Sequence, residues 1–91
     1  MDMKLYLIHC GFYDKELTSG VYEFHINIPV VAQDLEGAKK KVREEPSFIL
    51  KKMHIDGIQE IQVVNGHQIT VEKISELEDQ NQIENICHRD L

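Results

Sequence analysis

Residues 21–32 read Val-Tyr-Glu-Phe-His-Ile-Asn-Ile-Pro-Val-Val-Ala, and the other elements are placed by reference to them. The even positions Tyr22, Phe24, Ile26, Ile28 and Val30 are apolar, whereas Glu23, His25 and Asn27 are polar. Side chains that alternate in character every second residue belong to a β-strand with one dry and one wet face. The chain around it must therefore supply partner strands and something apolar to cover the dry face.

Upstream, residues 3–9 are apolar at nearly every position, with Leu5, Tyr6, Leu7 and Ile8 in succession. With neither face polar, this segment is expected to be a strand covered on both sides, in the interior of a sheet. Residues 10–20 carry Gly11, Asp14, Thr18, Ser19 and Gly20, which is turn chemistry, and predict a flexible loop leading to the second strand.

Downstream, Asp34 is a good N-cap, and Leu35, Ala38 and Val42 lie on one helical stripe, so the main helix is expected over residues 35–44. Lys39, Lys40, Lys41 and Arg43 follow Glu36, the order the helix dipole favours. Gly37 costs about 1 kcal/mol relative to alanine, so this helix must rely on packing. Pro46 ends it and can start a further short helical turn over 47–53.

Residues 54–71 read as a second hairpin. Keeping Ile61, Val63, Ile69 and Val71 on one side requires a three-residue loop, Val64-Asn65-Gly66, that pairs Val63 with His67 and Ile61 with Ile69. Asp56-Gly57 marks a kink or bulge between His54-Ile55 and the strand over 58–63. In the tail, Ser75 with Glu78 is a capping-box signal, and Leu77, Ile83, Ile86, Cys87 and Leu91 share half of a helical wheel. The central Asp79-Gln80-Asn81-Gln82 is poor helix material, so the tail is expected to be helical or partly disordered.

These elements define an α+β chain in the order β-β-α-β-β, with a small antiparallel or mixed sheet, one main helix on one face and a C-terminal helical segment. Ninety-one residues suit one domain, expected over 1–73 with an acidic tail over 74–91. A formal charge of −6 argues against nucleic acid as a partner, because such binding rests on lysine and arginine neutralising phosphates. No apolar run approaches the roughly 20 residues a membrane helix needs. The first apolar run is too short for a signal sequence, so the expected location is cytoplasmic. Cys10 and Cys87 lie far apart in sequence and are expected to be reduced thiols.

The blocks Gly20-Val-Tyr-Glu-Phe-His25, Pro29-Val-Val-Ala32, Leu35-Glu-Gly-Ala-Lys-Lys-Lys-Val42 and Lys52-Met-His-Ile-Asp-Gly57 resemble the small bacterial proteins grouped as domain of unknown function 1543. The resemblance spans residues 4–71. It implies a bacterial origin and a compact α+β domain, and it brings no catalytic residues with it.

For chemistry, Glu23, His25 and Asn27 stand in a row on the wet side of the organising strand, each about 7 Å from the next. The functional reading makes His25 a titrating or ligating group supported by Glu23, with His54 and Asp56 from the second hairpin completing the set. The alternative is an ordinary solvated sheet face. Five histidines and two cysteines supply ligand types, yet no Cys-x-x-Cys, His-x-x-x-His or HExxH spacing occurs, so no metal and no cofactor is expected. Cys10, next to His9 and Gly11 at a strand end, is a candidate nucleophile, the alternative being a small buried apolar residue. One helix covers one sheet face, whereas the first strand is apolar on both, so either the tail or a second copy must cover the other; a homodimer is expected. Two functions fit: a non-catalytic module binding a small ligand or protein, or a small enzyme using His25, Glu23, His54 and Asp56. A catalytic site requires those four within hydrogen-bond reach around a concave pocket.

Overall fold

The computed structural model describes residues 2–91. Strand β1 (Lys4–Tyr13) runs antiparallel to β2 (Glu23–Ala32) on one side and β3 (His54–Ile61) on the other, giving the order β2-β1-β3. The apolar first strand is thus the central one, as its sequence requires. As an edge strand, β2 tolerates Pro29, which has no amide hydrogen to give a further neighbour.

Along β2 the alternation holds. Val30 and Ala32 are buried and Phe24 is half-buried, while His25 and Asn27 are exposed. The dry face continues across β1 as Tyr6, Ile8 and Cys10, all at most 3% exposed. Helix α2 (Leu35–Arg43) lays Ala38 and Val42 on this surface, and Met53 closes the cluster. Ile26 remains 38% exposed, because the core formed with α2 lies over the Val30–Ala32 end of the strand. At the opposite end Phe12 and Phe24 stack across the strands, 5.7 Å apart.

Asp34 caps α2 by accepting from the Gly37 amide at 2.8 Å, and Gly37 suits this turn because a Cβ there would lie 3.2 Å from Asp34 Oδ1. Asp34→Ala should lower stability by about 1 kcal/mol in urea denaturation. A loss below a few tenths would show that the cap is dispensable. Pro46 starts the short helix α3 (Pro46–Leu50), as its sequence suggests.

The strand bounds and the last hairpin depart from the sequence expectation. The second strand begins at Glu23, after exposed Val21 and Tyr22. The first continues to Tyr13 instead of breaking at Cys10, and only then does Asp14 cap the one-turn helix Lys15–Thr18. Lys51 reaches the same carboxylate at 2.9 Å, and its hydrogen bond holds the Asp14 carboxyl below the usual range.

The final hairpin is separate from the main sheet, which therefore has three strands. Its register pairs Val64 with His67 and Val63 with Gln68, so the loop is the two-residue Asn65-Gly66. Both loop residues have positive φ (52° and 77°), the geometry of a type I′ turn that Asn-Gly favours. Val63 and Val64 are exposed, so no buried face imposes the alternative register and turn chemistry decides.

The tail forms no α-helix among the described residues; its regular structure is a turn over 75–79 and a 3₁₀ turn at His88–Asp90. Tail residues Ile74, Leu77 and Ile83 share a groove with Leu5, Pro29 and Val31, beside the apolar end of the second sheet face. Among the described residues no helix is long and apolar enough to cross a membrane.

Candidate functional site

The second sheet face changes character along its length. At one end Leu5, Leu7, Pro29, Val31 and Ile61 are half-buried. At the other, three strands converge with polar side chains. Glu23, His25 and Asn27 project from β2, as alternate residues of one strand must. Opposite them β1 places Tyr13, Gly11 and His9, through the register pairs Tyr13–Glu23, Gly11–His25 and His9–Asn27.

From β3 come His54 and Asp56. The ladder pairs His9 with Gly57 and Cys10 with Ile55, leaving Asp56 as the extra residue of a bulge inside a continuous strand. A bulge re-aims side chains locally. Here it allows His54 and Asp56 to reach the same group of side chains while Ile55, between them, packs against the core.

The resulting contacts are close. His25 Nε2 lies 2.7 Å from Glu23 Oε1, and its Nδ1 lies 3.2 Å from Asp56 Oδ2. His54 Nε2 lies 3.0 Å from Asp56 Oδ1 and 3.2 Å from Glu23 Oε2. Each carboxylate therefore spans both imidazoles. Beside them the His9 ring stacks on His25, centroids 4.8 Å apart and planes within 3°, and His9 Nδ1 meets Asn27 Oδ1 at 2.8 Å.

All five residues singled out from sequence, Glu23, His25, Asn27, His54 and Asp56, thus gather at one end of one face. The side chains of Glu23, His25, His54 and Asp56 are between 27% and 46% exposed, open to a ligand yet partly shielded. Two grooves elsewhere on the surface are lined by none of the five.

Three contributors were not singled out. His9 is masked by its apolar neighbours, and only the register of β1 on β2 places it beside Asn27. Gly11 is the floor: a Cβ there would fall 2.6 Å from Asp56 Oδ2 and 2.7 Å from His54 Nε2, so glycine gives those side chains their room. Tyr13 is raised above the ordinary tyrosine range by the Glu23 charge and by donating its phenol hydrogen to that carboxylate.

The sign of the Tyr13 shift favours the neutral phenol in the fold. Its contribution to stability is present below the ordinary value of about 10 and is lost as pH rises through the raised value. Titration of the tyrosinate absorbance should show a component above that value which Glu23→Gln returns toward it. A component unmoved by Glu23→Gln would place Tyr13 away from the carboxylate.

Cys10 points to the other face, fully buried, and burial, followed by the Asp56 charge, pushes its thiol up. A buried thiol of raised pKa is a poor nucleophile, so that candidate role is removed. Cys10 and Cys87 are both free thiols.

An antiparallel three-stranded sheet with helices on one face and a histidine–carboxylate group on the other defines a small α+β domain. Residues 21–71, more than half of the chain, match the family model described as Domain of Unknown Function (DUF1543), and the chain belongs to that family. The match holds all five residues singled out from sequence, whereas His9, Gly11 and Tyr13 precede it, and it is narrower than the expected span 4–71. No curated protein and no solved structure matches the chain.

Proposed function

We propose that this protein is a non-catalytic binding module of a bacterial cytoplasm, and that its ligand is a small cationic species held on the polar end of the sheet by Glu23, His25, Asn27, His54 and Asp56. The observation that carries the reading is the convergence of two carboxylates on the same pair of imidazoles over a glycine floor. Two anionic groups within hydrogen-bond distance of the same rings repel each other, and a bound cation relieves that repulsion.

A small enzyme using His25, Glu23, His54 and Asp56 is the other reading. The hydrogen-bonded pairs supply the proton-transfer geometry it requires. It also requires these residues to enclose a concave pocket, whereas their side chains are 27–46% exposed on a sheet face, and this favours binding over catalysis.

The test follows the imidazole resonances of His9, His25 and His54 during titration with spermidine, Mg²⁺, Zn²⁺ and inorganic phosphate. The expected result is saturable movement of these resonances with at least one cation and none with phosphate. No movement with any cation would overturn the reading.

We further take residues 1–73 as the domain and 74–91 as an acidic appendage, and the assembly as a homodimer. Supporting the dimer, the chain exposes 7712 Å², against roughly 5,500 Å² for a compact monomer of its mass. Exposed Leu17, Tyr22, Leu50 and Val63 contribute to that excess. Light scattering across a dilution series should give twice the chain mass, and monomer throughout would contradict the dimer.

A further inference from the structure

His25 and His54 each face two carboxylate oxygens, and with neutral rings hydrogen bonding meets those oxygens incompletely. His25 turns both ring nitrogens toward carboxylate oxygens, Nε2 to Glu23 and Nδ1 to Asp56. A neutral imidazole has one N–H, so one of these contacts then sets a lone pair against an anionic oxygen. His54 Nε2 likewise lies between Glu23 Oε2 and Asp56 Oδ1, one nitrogen facing two acceptors. Lone pairs of nitrogen and oxygen converging from three strands are the donor arrangement of a metal centre.

The distances allow it. One donor atom each from Glu23, His54 and Asp56 lie within 4.8 Å of one another, and so do donors from His9, His25 and Asp56. Asp56 is common to both sets. Small rotations of half-exposed side chains bring such atoms to the roughly 2.0–2.2 Å at which imidazole and carboxylate ligate zinc.

The surroundings fit as well. If His9 donates its Nδ1 hydrogen to Asn27 Oδ1, the tautomer with a free lone pair on Nε2 is selected, which is how histidine ligands are commonly oriented. Gly11 leaves the space beneath that a Cβ would fill.

We propose that the polar face binds one divalent first-row transition ion, ligated by Glu23, His54 and Asp56 with His25 completing the shell and His9 supporting it. Mixed imidazole and carboxylate donors select ions such as Zn²⁺, Ni²⁺ or Co²⁺ over Mg²⁺ and Ca²⁺, which prefer all-oxygen shells. The proposal rests on the reading of this face as a cation-binding surface and names the cation. No linear motif announces it, because the donors are brought together by strand pairing and a bulge.

The test uses the full chain, untagged and metal-free, titrated with CoCl₂ and followed by visible absorption. The expected result is a band saturating near one Co²⁺ per chain, displaced by Zn²⁺ and unaffected by excess Mg²⁺. His25→Ala/His54→Ala should weaken Co²⁺ binding at least about 100-fold, Glu23→Gln should weaken it measurably, and His67→Ala, in the remote hairpin, should leave it unchanged. Thermal melts of each variant separate loss of ligands from loss of fold.

No saturable band, or a band that survives in the folded double variant, overturns the proposal. Should spermidine or Mg²⁺ move the histidine resonances while Co²⁺ and Zn²⁺ do not, the metal assignment falls and the cation-binding face stands. If none of the cations moves them, both fall.

Discussion

Gly11→Ala is expected to weaken Zn²⁺ binding by about 10–100-fold while changing the melting temperature by only a few degrees. The added methyl would fall 2.6 Å from Asp56 Oδ2 and 2.7 Å from His54 Nε2, both at the ends of side chains that can swing outward. Swinging relieves the clash at little structural cost and separates the donors, and displacing groups that orient a metal site typically costs that range in affinity. Alanine is moreover the better strand residue by about 0.5–1 kcal/mol, which offsets part of the strain. Zinc competition against a chelating dye, with a parallel melt, measures both effects. Wild-type affinity in the variant would mean that the group does not rest on Gly11.

The largest effect on stability is expected from Ile8→Ala, at about 2–5 kcal/mol. Ile8 is fully buried at the centre of the middle strand, paired with Ile28 on one side and Ile58 on the other, and it packs in the cluster that holds Ala38 and Val42. At about 4–8 °C per kcal/mol for a domain of this size, the melting point should fall by at least about 8 °C. Ile26→Ala on the same face should cost under about 1 kcal/mol, since Ile26 is 38% exposed beyond the Val30–Ala32 end where α2 packs. Equal losses in the two variants would show that the dry face is covered along its whole length.

The organising strand is legible because the signals that define it are local in sequence. Alternation from Glu23 to Val30 fixes which residues face the helix, Asp34 fixes where that helix starts, and Asp56-Gly57 marks the bulge. Together they place Glu23, His25 and Asn27 on the face away from the helix and offer His54 and Asp56 as partners from the second hairpin. What decides their meeting is the order β2-β1-β3, which is a long-range property.

His9 was hidden for the same reason. Its partner Asn27 is set by a hairpin whose connection contains the helix Lys15–Thr18, a geometry that no short turn signal encodes. Gly11 and Asp14 read as the end of the strand, whereas Gly11 is there for the space it leaves and β1 runs on to Tyr13. In the last hairpin a shared apolar face predicts a three-residue loop, but facing has no force where Val63 and Val64 are both in solvent, and Asn65-Gly66 sets the turn. The tail is expected to be helical or partly disordered; Asp79 to Gln82 favour turns and caps over helix interiors, and among the described residues the segment forms turns and no α-helix.

Proton–proton Overhauser contacts between imidazole rings in the metal-free protein probe the strand assembly with no ligand involved. The account predicts a cross-peak between the rings of His9 and His25, whose centroids lie 4.8 Å apart, together with none from His25 to Val42. A His25 ring in contact with Val42 and remote from His9 would put the polar residues beneath the helix and contradict it.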